Sequence, residues 1–238
     1  MQIKRLRRRV TPPQVRLQTK RKAGRRRFDL NQQRVPVAGR LYGTPPILWY
    51  AFMNIDQAIS GRRSTREYTT EAVDEKIIRR LINAAIQAPS AVNQQPWTFT
   101  VIRDQELLDR ISREAKAYML ATMPAGPHSG HFHGLLTDEN FQIFYHAPAL
   151  ILISGNVPGQ WIVEDCSLAA ENLMLAAYAE GLGSCWIGFA QSYFNTPQGK
   201  KTLDLPAEWA PVAPIIVGYP ETNPVPVAHK EPVIRWMG

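Results

Sequence analysis

Three arginines and a serine fall within five residues at Arg62-Arg63-Ser64-Thr65-Arg66. Some two dozen residues later, Ala88-Pro89-Ser90-Ala91-Val92-Asn93-Gln94-Gln95-Pro96-Trp97 sets neutral amides and a tryptophan between prolines. A guanidinium is a planar fork suited to bidentate phosphate contacts, and a neighbouring hydroxyl adds one more donor. A solvated basic turn satisfies the first stretch equally well. Asn and Gln side chains donate and accept at once, which the edge of a flat heterocycle requires. The competing reading of the second stretch is a loop whose amides serve its own backbone. Taken together, the pair points to a bound nucleotide-like cofactor.

Other candidates are weaker. Gly181-Leu182-Gly183-Ser184-Cys185-Trp186-Ile187-Gly188 is glycine-rich after a helix pattern, but it is neither a dinucleotide fingerprint nor a phosphate loop. His128, His131 and His133 match no zinc spacing and have no cysteine or carboxylate pair beside them, so no metal is expected. Cys185 has no accompanying His/Asn arrangement and reads as a buried structural thiol.

The elements that must hold these groups follow from periodicity. Ile55, Ala58 and Ile59 make a short apolar helical stripe that stops at Gly61. Val73 to Ile86 repeats with the spacing of an amphipathic helix, ended by Pro89. Trp97–Ile102 is strand-like, Leu107 to Ala115 marks another helix, and Pro148–Ser154 reads as a strand buried on both faces. Residues 121–140 lose all periodicity and are expected to be a long loop or loosely helical lid. Val163–Glu180 has almost no polar face, so it is expected in the interior or at a subunit contact. Pro214–Tyr219 gives a last strand before a proline-rich extended tail.

The net charge of +8 is unevenly spread. Residues 1–52 hold 14 of the 28 Lys/Arg and a single acid, Asp29, whereas residues 53–238 carry a net charge of −5. The first 52 residues are expected to be a basic, disordered extension, either a misassigned start before Met53, a nucleic-acid or anionic-membrane arm, or a transit segment. Residues 53–238 form the expected folded domain. Two cysteines in apolar surroundings argue against a disulfide framework and for a reducing, cytoplasmic compartment. No stretch has the length of a transmembrane helix, and neither a membrane nor a nucleic acid is expected as partner of the 53–238 domain.

In this order, Arg62–Arg66, Pro89–Trp97, Gly181–Gly188 and the tail His229-Lys230-Glu231-Pro232 resemble the nitroreductase family of flavin mononucleotide (FMN) enzymes. The resemblance runs from Met53 to about Ile234. It implies an α+β fold: a three-layer α-β-α sandwich with a central mixed or antiparallel sheet, assembled as an intertwined homodimer. It further implies a phosphate grip in the Arg62, Arg63 and Ser64 segment with Lys230, and Arg66 beside the N1/C2 end of the flavin. Asn93 would face the pyrimidine edge. Pro89, Ser90 and Ala91 would reach the flavin held mainly by the other subunit, and backbone N–H groups near Ile187 and Gly188 would approach N5. Family tails often carry Arg where this chain has Lys230. The implied activity passes electrons from NAD(P)H, a co-substrate, to flat small-molecule acceptors such as nitroaromatics or quinones in a ping-pong sequence, with no dedicated catalytic acid or base. The alternatives are a family flavoenzyme that dehalogenates, oxidises azolines or fragments the flavin, or a flavin-binding or nucleic-acid-associated protein using the basic arm.

Overall fold

The computed structural model describes residues 53–124, 129–222 and 224–238, apart from the side chains of Ser129 and His131. The basic extension over residues 1–52 lies outside the described residues, as does His128.

Four strands, β1 (Trp97–Ile102), β2 (Ala149–Gly155), β3 (Gly183–Trp186) and β4 (Ala210–Gly218), form one antiparallel sheet in the order β1-β2-β4-β3. All of β2 is buried, as its unbroken apolar run requires for a strand covered on both sides. The pleat divides its side chains. Ala149, Ile151 and Ile153 pack with α2 (Glu75–Ala85) and α5 (Ile162–Ala179), while Leu150 and Leu152 pack with α3 (Gln105–Thr122) and α6 (Gly188–Phe194). Helices on both faces of the sheet make three layers.

Helix starts are set by local polar groups. At α1 (Ile55–Gly61), Asn54 and Gln57 exchange side-chain-to-backbone hydrogen bonds of 2.9 Å each, a complete capping box. Asp74 caps α2 and Asp104 caps α3. α1 buries only Ala58 and leaves Ile55 and Ile59 exposed, so its apolar stripe is not covered by this chain's own core.

One stretch takes the helical form among its two expected readings, and one strand differs from its sequence reading. Within the unpatterned 121–140 stretch, α3 continues to Thr122 and α4 occupies Ser129–Thr137, a short helix whose glycines and histidines give no usable period. Second, β4 begins at Ala210 rather than Pro214, although it contains Pro211 and Pro214. A bulge opposite Ile153/Ser154 absorbs the first proline, and Pro214 lies just beyond the last β3 pair, Trp186↔Ile215. There strand pairing with β3 has ended, with only the Pro214 carbonyl still engaged by the Ile187 N–H at 2.8 Å, and a missing donor is tolerated. No described helix is long and apolar enough to cross a membrane.

Candidate functional site

The arginine segment is stitched to the rim of the sheet. Ser64 pairs in parallel with Ser184 of β3, and the Thr65 N–H donates to the Ser184 carbonyl at 3.0 Å. Further along, Tyr68 pairs antiparallel with Pro220, and the Thr69 N–H reaches the Tyr219 carbonyl at 2.9 Å. Close packing requires glycine at the contact: a Cβ at Gly183 would come within 2.6 Å of the Thr65 Cβ. Once fixed, the segment turns Arg62, Arg63, Ser64 and Arg66 onto the wall of one cavity of about 480 Å³.

The nitrogens of these arginines are unevenly satisfied. Arg63 Nη1 donates to the Ser60 and Arg62 carbonyls, at 2.8 and 2.7 Å, but its buried Nε has no hydrogen-bond partner among the described residues. Arg62 Nε is likewise buried without a hydrogen bond, and lies 3.6 Å from Glu171 Oε1 as a loose ion pair. Orphaned guanidinium nitrogens beside a cavity fit an anionic ligand that accepts several N–H groups.

Much of the remaining lining comes from the C-terminal tail. Val225, Val227 and His229 line the cavity together with Pro224, whereas Lys230 does not. From Val225 onward the lining positions alternate, at 225, 227 and 229, and 230 falls out of that step, while Pro224 lies outside the alternation. His229 was not singled out by sequence reasoning, and its only signal was this period of two beside a lysine that draws attention first.

Arg66 opens onto an aromatic chain. Its guanidinium carbon lies 5.9 Å from the Tyr145 ring centroid. Tyr145 meets Phe141 edge-on at 5.7 Å, Phe141 meets Phe189 at 6.3 Å, and Phe189 meets Phe132 of α4 at 5.6 Å. The rings thus run from Arg66 to the start of α6, next to Gly188. Lys116 holds the base of this region by donating to the Asp138 and Phe141 carbonyls at 2.5 and 2.8 Å. Nothing in the sequence spacing brings these four rings together; only the fold does.

Ile187 and Gly188 differ in what they offer. The Ile187 side chain is buried and its N–H is already bonded to the Pro214 carbonyl at 2.8 Å. Gly188 opens α6, where a first-turn N–H has no intrahelical acceptor. A Cβ placed on Gly188 would meet no atom within 4 Å, so the chain's own packing does not demand glycine there. Pro89 and Asn93 are exposed, and Ser90 and Ala91 are half-buried. The Asn93 Oδ1 accepts from Gln95 Nε2, and Ser90 Oγ accepts the Gln95 N–H, each at 2.9 Å. Pro89, Ser90, Ala91, Asn93, Ile187, Gly188 and Lys230 do not line the arginine cavity.

Burial pushes the Cys185 thiol above its ordinary range, against the pull of Arg66, a hydrogen bond from Ser64 and the charge of Arg62. A protonated thiol of this kind is a poor nucleophile. Burial also raises Tyr68 and Tyr145, with Arg66 again opposing, so both phenols stay neutral beside the arginine.

The nitroreductase family model matches residues 59–219, well over half of the chain. The chain belongs to the nitroreductase family. A protein of Methanothermobacter thermautotrophicus, provisionally named NADH dehydrogenase/NAD(P)H nitroreductase, is 31% identical over 177 residues, covering 72% of this chain and 80% of its own. A 5,6-dimethylbenzimidazole synthase of Rhodospirillum rubrum is 29% identical over 189 residues, 72% of this chain and 85% of that one. Among solved structures, a nitroreductase with bound FMN from Desulfitobacterium hafniense superimposes with a TM-score of 0.66 at 25% identity, covering 79% of this chain and all of that one. The matched nitroreductase region ends before the tail, so His229 and Lys230 lie beyond it.

Proposed function

We propose that this chain binds FMN and works as an oxidoreductase, passing electrons from NAD(P)H to flat oxidised acceptors such as nitroaromatics or quinones. The observation that carries the reading is the convergence of Arg62, Arg63, Ser64 and Arg66 on one cavity, with two buried guanidinium nitrogens left without a hydrogen bond. Such a donor set fits the phosphate of a mononucleotide. When bound, FMN supplies the hydride and electron chemistry itself.

The chain's own residues then have positional and electrostatic tasks. Arg62 and Ser64 bind the phosphate, with Arg63 locked by its bonds to the Ser60 and Arg62 carbonyls. His229 lines the same cavity and joins the grip from the tail side, with Lys230 next to it in the chain. Arg66 places positive charge near the ring system and stabilises negative charge that develops on it. Asn93, with Pro89, Ser90 and Ala91, meets the polar edge. Gly188 supplies an N–H with open space around it, and Ile187 supports it from the core. The rings of Phe132, Phe141, Tyr145 and Phe189 form an apolar wall that a flat acceptor stacks against and that excludes water.

A second copy of the chain completes the assembly in this reading. Ile55 and Ile59 of α1, Trp161 and Val163 at the start of α5, and Ile234 and Trp236 of the tail all stand exposed. Large apolar side chains spread over three elements are best covered by another subunit. Free, buried cysteines accord with a reducing cytoplasm.

A second reading is favoured by the 29% identity to a 5,6-dimethylbenzimidazole synthase: the same cofactor with different chemistry. The deciding experiment is the visible spectrum of purified protein followed by an acceptor screen. Flavin bands, with NAD(P)H oxidation that requires an added nitro or quinone acceptor, support the first reading. Flavin bands without such turnover favour the second. Colourless protein that FMN does not reconstitute overturns both.

A further inference from the structure

Asp165, in the first turns of α5, is 3% exposed and takes no part in the arginine cavity. Its Oδ1 accepts the Ala91 N–H at 2.9 Å, across 74 residues of sequence. Its Oδ2 is buried with no hydrogen-bond partner among the described residues. A helix gains from an acid near its N-terminus, but Glu164 provides that from an exposed position, so the helix gives no reason to bury Asp165.

The reason lies in the loop it touches. Val92, Asn93 and Gln95 have φ of 48°, 57° and 51°, three non-glycine residues in the left-handed region within four positions. For β-branched Val92 this conformation is a genuine outlier. Packing does not hold it there, because Val92 is 96% exposed. The bonds that close the loop are internal: Asn93 N–H to the Ser90 carbonyl, Gln94 N–H to the Ala91 carbonyl, Gln95 N–H to Ser90 Oγ, and Gln95 Nε2 to Asn93 Oδ1. The bond to Asp165 is the one that ties residues 90–95 to another element among the described residues.

We propose that Asp165 is a positioning residue that pins the strained Ser90–Gln95 loop to α5, so that Ser90, Ala91 and Asn93 are presented in the shape a bound flavin edge requires. The inference rests on the FMN reading above for what the loop presents to, but not for the pinning itself. A buried carboxylate with one oxygen unmatched is disfavoured unless its other bonds compensate. Here the compensation is a charge-assisted bond to a backbone donor that has no other acceptor in its own loop.

The test uses the full chain with Asp165→Ala and Asp165→Asn, the latter keeping one accepting oxygen. The first readout, made without FMN, is hydrogen exchange and the proton shift of the Ala91 amide. The second is FMN affinity from flavin fluorescence, with exchange of the β2 amides as the control for the fold. Asp165→Ala is expected to speed Ala91 exchange and weaken FMN binding by about tenfold or more while β2 stays protected, and Asp165→Asn to restore a large part of both. Ala91 exchange unchanged in Asp165→Ala overturns the proposal, and so does a freed Ala91 with FMN affinity intact. If Asp165→Ala does not fold, Asp165→Asn carries the test: Ala91 held and FMN affinity within a few-fold of wild type supports the pin, and Ala91 freed overturns it. Wild-type protein that takes up no FMN overturns the flavin reading separately, and Ala91 exchange then still decides the pinning.

Discussion

The arginine segment is tied to β3 by the Thr65 N–H bond to the Ser184 carbonyl. The residues just after it are tied to the chain beyond β4 by Thr69 N–H to the Tyr219 carbonyl and Glu221 N–H to the Glu67 carbonyl, so the rim of the sheet fixes where its side chains point. The Pro89–Trp97 loop closes mainly on itself, in left-handed conformations, and meets α5 through one carboxylate. A group whose place is set by a sheet is rigid at the expense of nothing local. A group placed by a strained loop depends on a few bonds that can be removed one at a time. The two halves of the candidate site should therefore fail differently when altered.

Gly188→Ala gives the largest expected effect. The added methyl meets no atom of the chain within 4 Å, so melting temperature is expected to stay unchanged. Turnover is expected to fall by as much as about a hundredfold, because a small displacement at the reacting centre is that costly. Full activity would show that nothing approaches Gly188 closely. Arg62→Ala should lose about 1.5–3 kcal/mol of FMN binding, the range for a bond to a charged group, read by titration of apo protein. An unaltered affinity would remove Arg62 from the grip.

Gly183→Ala attacks the stitching rather than the charges. Its Cβ would press on Thr65, and overpacking of this sort costs about 1–3 kcal/mol, seen as a melting temperature lower by several degrees. FMN binding should fall with it. If stability drops while affinity holds, the sheet is not what aims the arginines. His229→Ala is expected to weaken FMN by about tenfold or less and more than Lys230→Ala does, since only His229 lines the cavity. The reverse order would show that the tail turns over when ligand binds.

The smallest effect concerns the two helices that feed these regions. Arg80 of α2 donates to both oxygens of Glu180 at the end of α5, at 2.6 and 2.8 Å, and this hydrogen bond holds the Glu180 carboxyl below its ordinary range. A lowered folded-state pKa means stability that is present at neutral pH and lost as pH falls through Glu180's titration. Arg80→Ala should therefore cost under about 1 kcal/mol near pH 7, given the exposure of the pair, and less in acid. Chemical denaturation at both pH values measures it.

Much of the frame was legible. Trp97–Ile102 is found as a strand over the expected residues, and β2 is buried on both faces as its apolar run implies. The opening of β4, residues 210–213, was not legible as strand because it contains Pro211, and only a bulge reconciles that proline with a ladder. In the site, clustered arginines are visible as a run, and they do share one cavity. The ring sequence from Tyr145 to Phe132 was not visible, because its members are spread from 132 to 189 and meet only in three dimensions. Asp165 was invisible for a different reason: an acid in a helix's first turns looks like an ordinary electrostatic ornament, and its partner is a backbone N–H with no sequence signature.

Folding brings the guanidiniums of Arg62, Arg63 and Arg66 to one wall, with Glu171 the single carboxylate in ion-pair reach of them among the described residues. Like charges gathered in this way repel, and an anion that binds only the folded chain relieves the repulsion. Such a ligand at a hundred times its dissociation constant adds about 2.7 kcal/mol to stability. Cellular abundance of the protein would then track the supply of its ligand, with starved cells degrading the chain faster than replete ones.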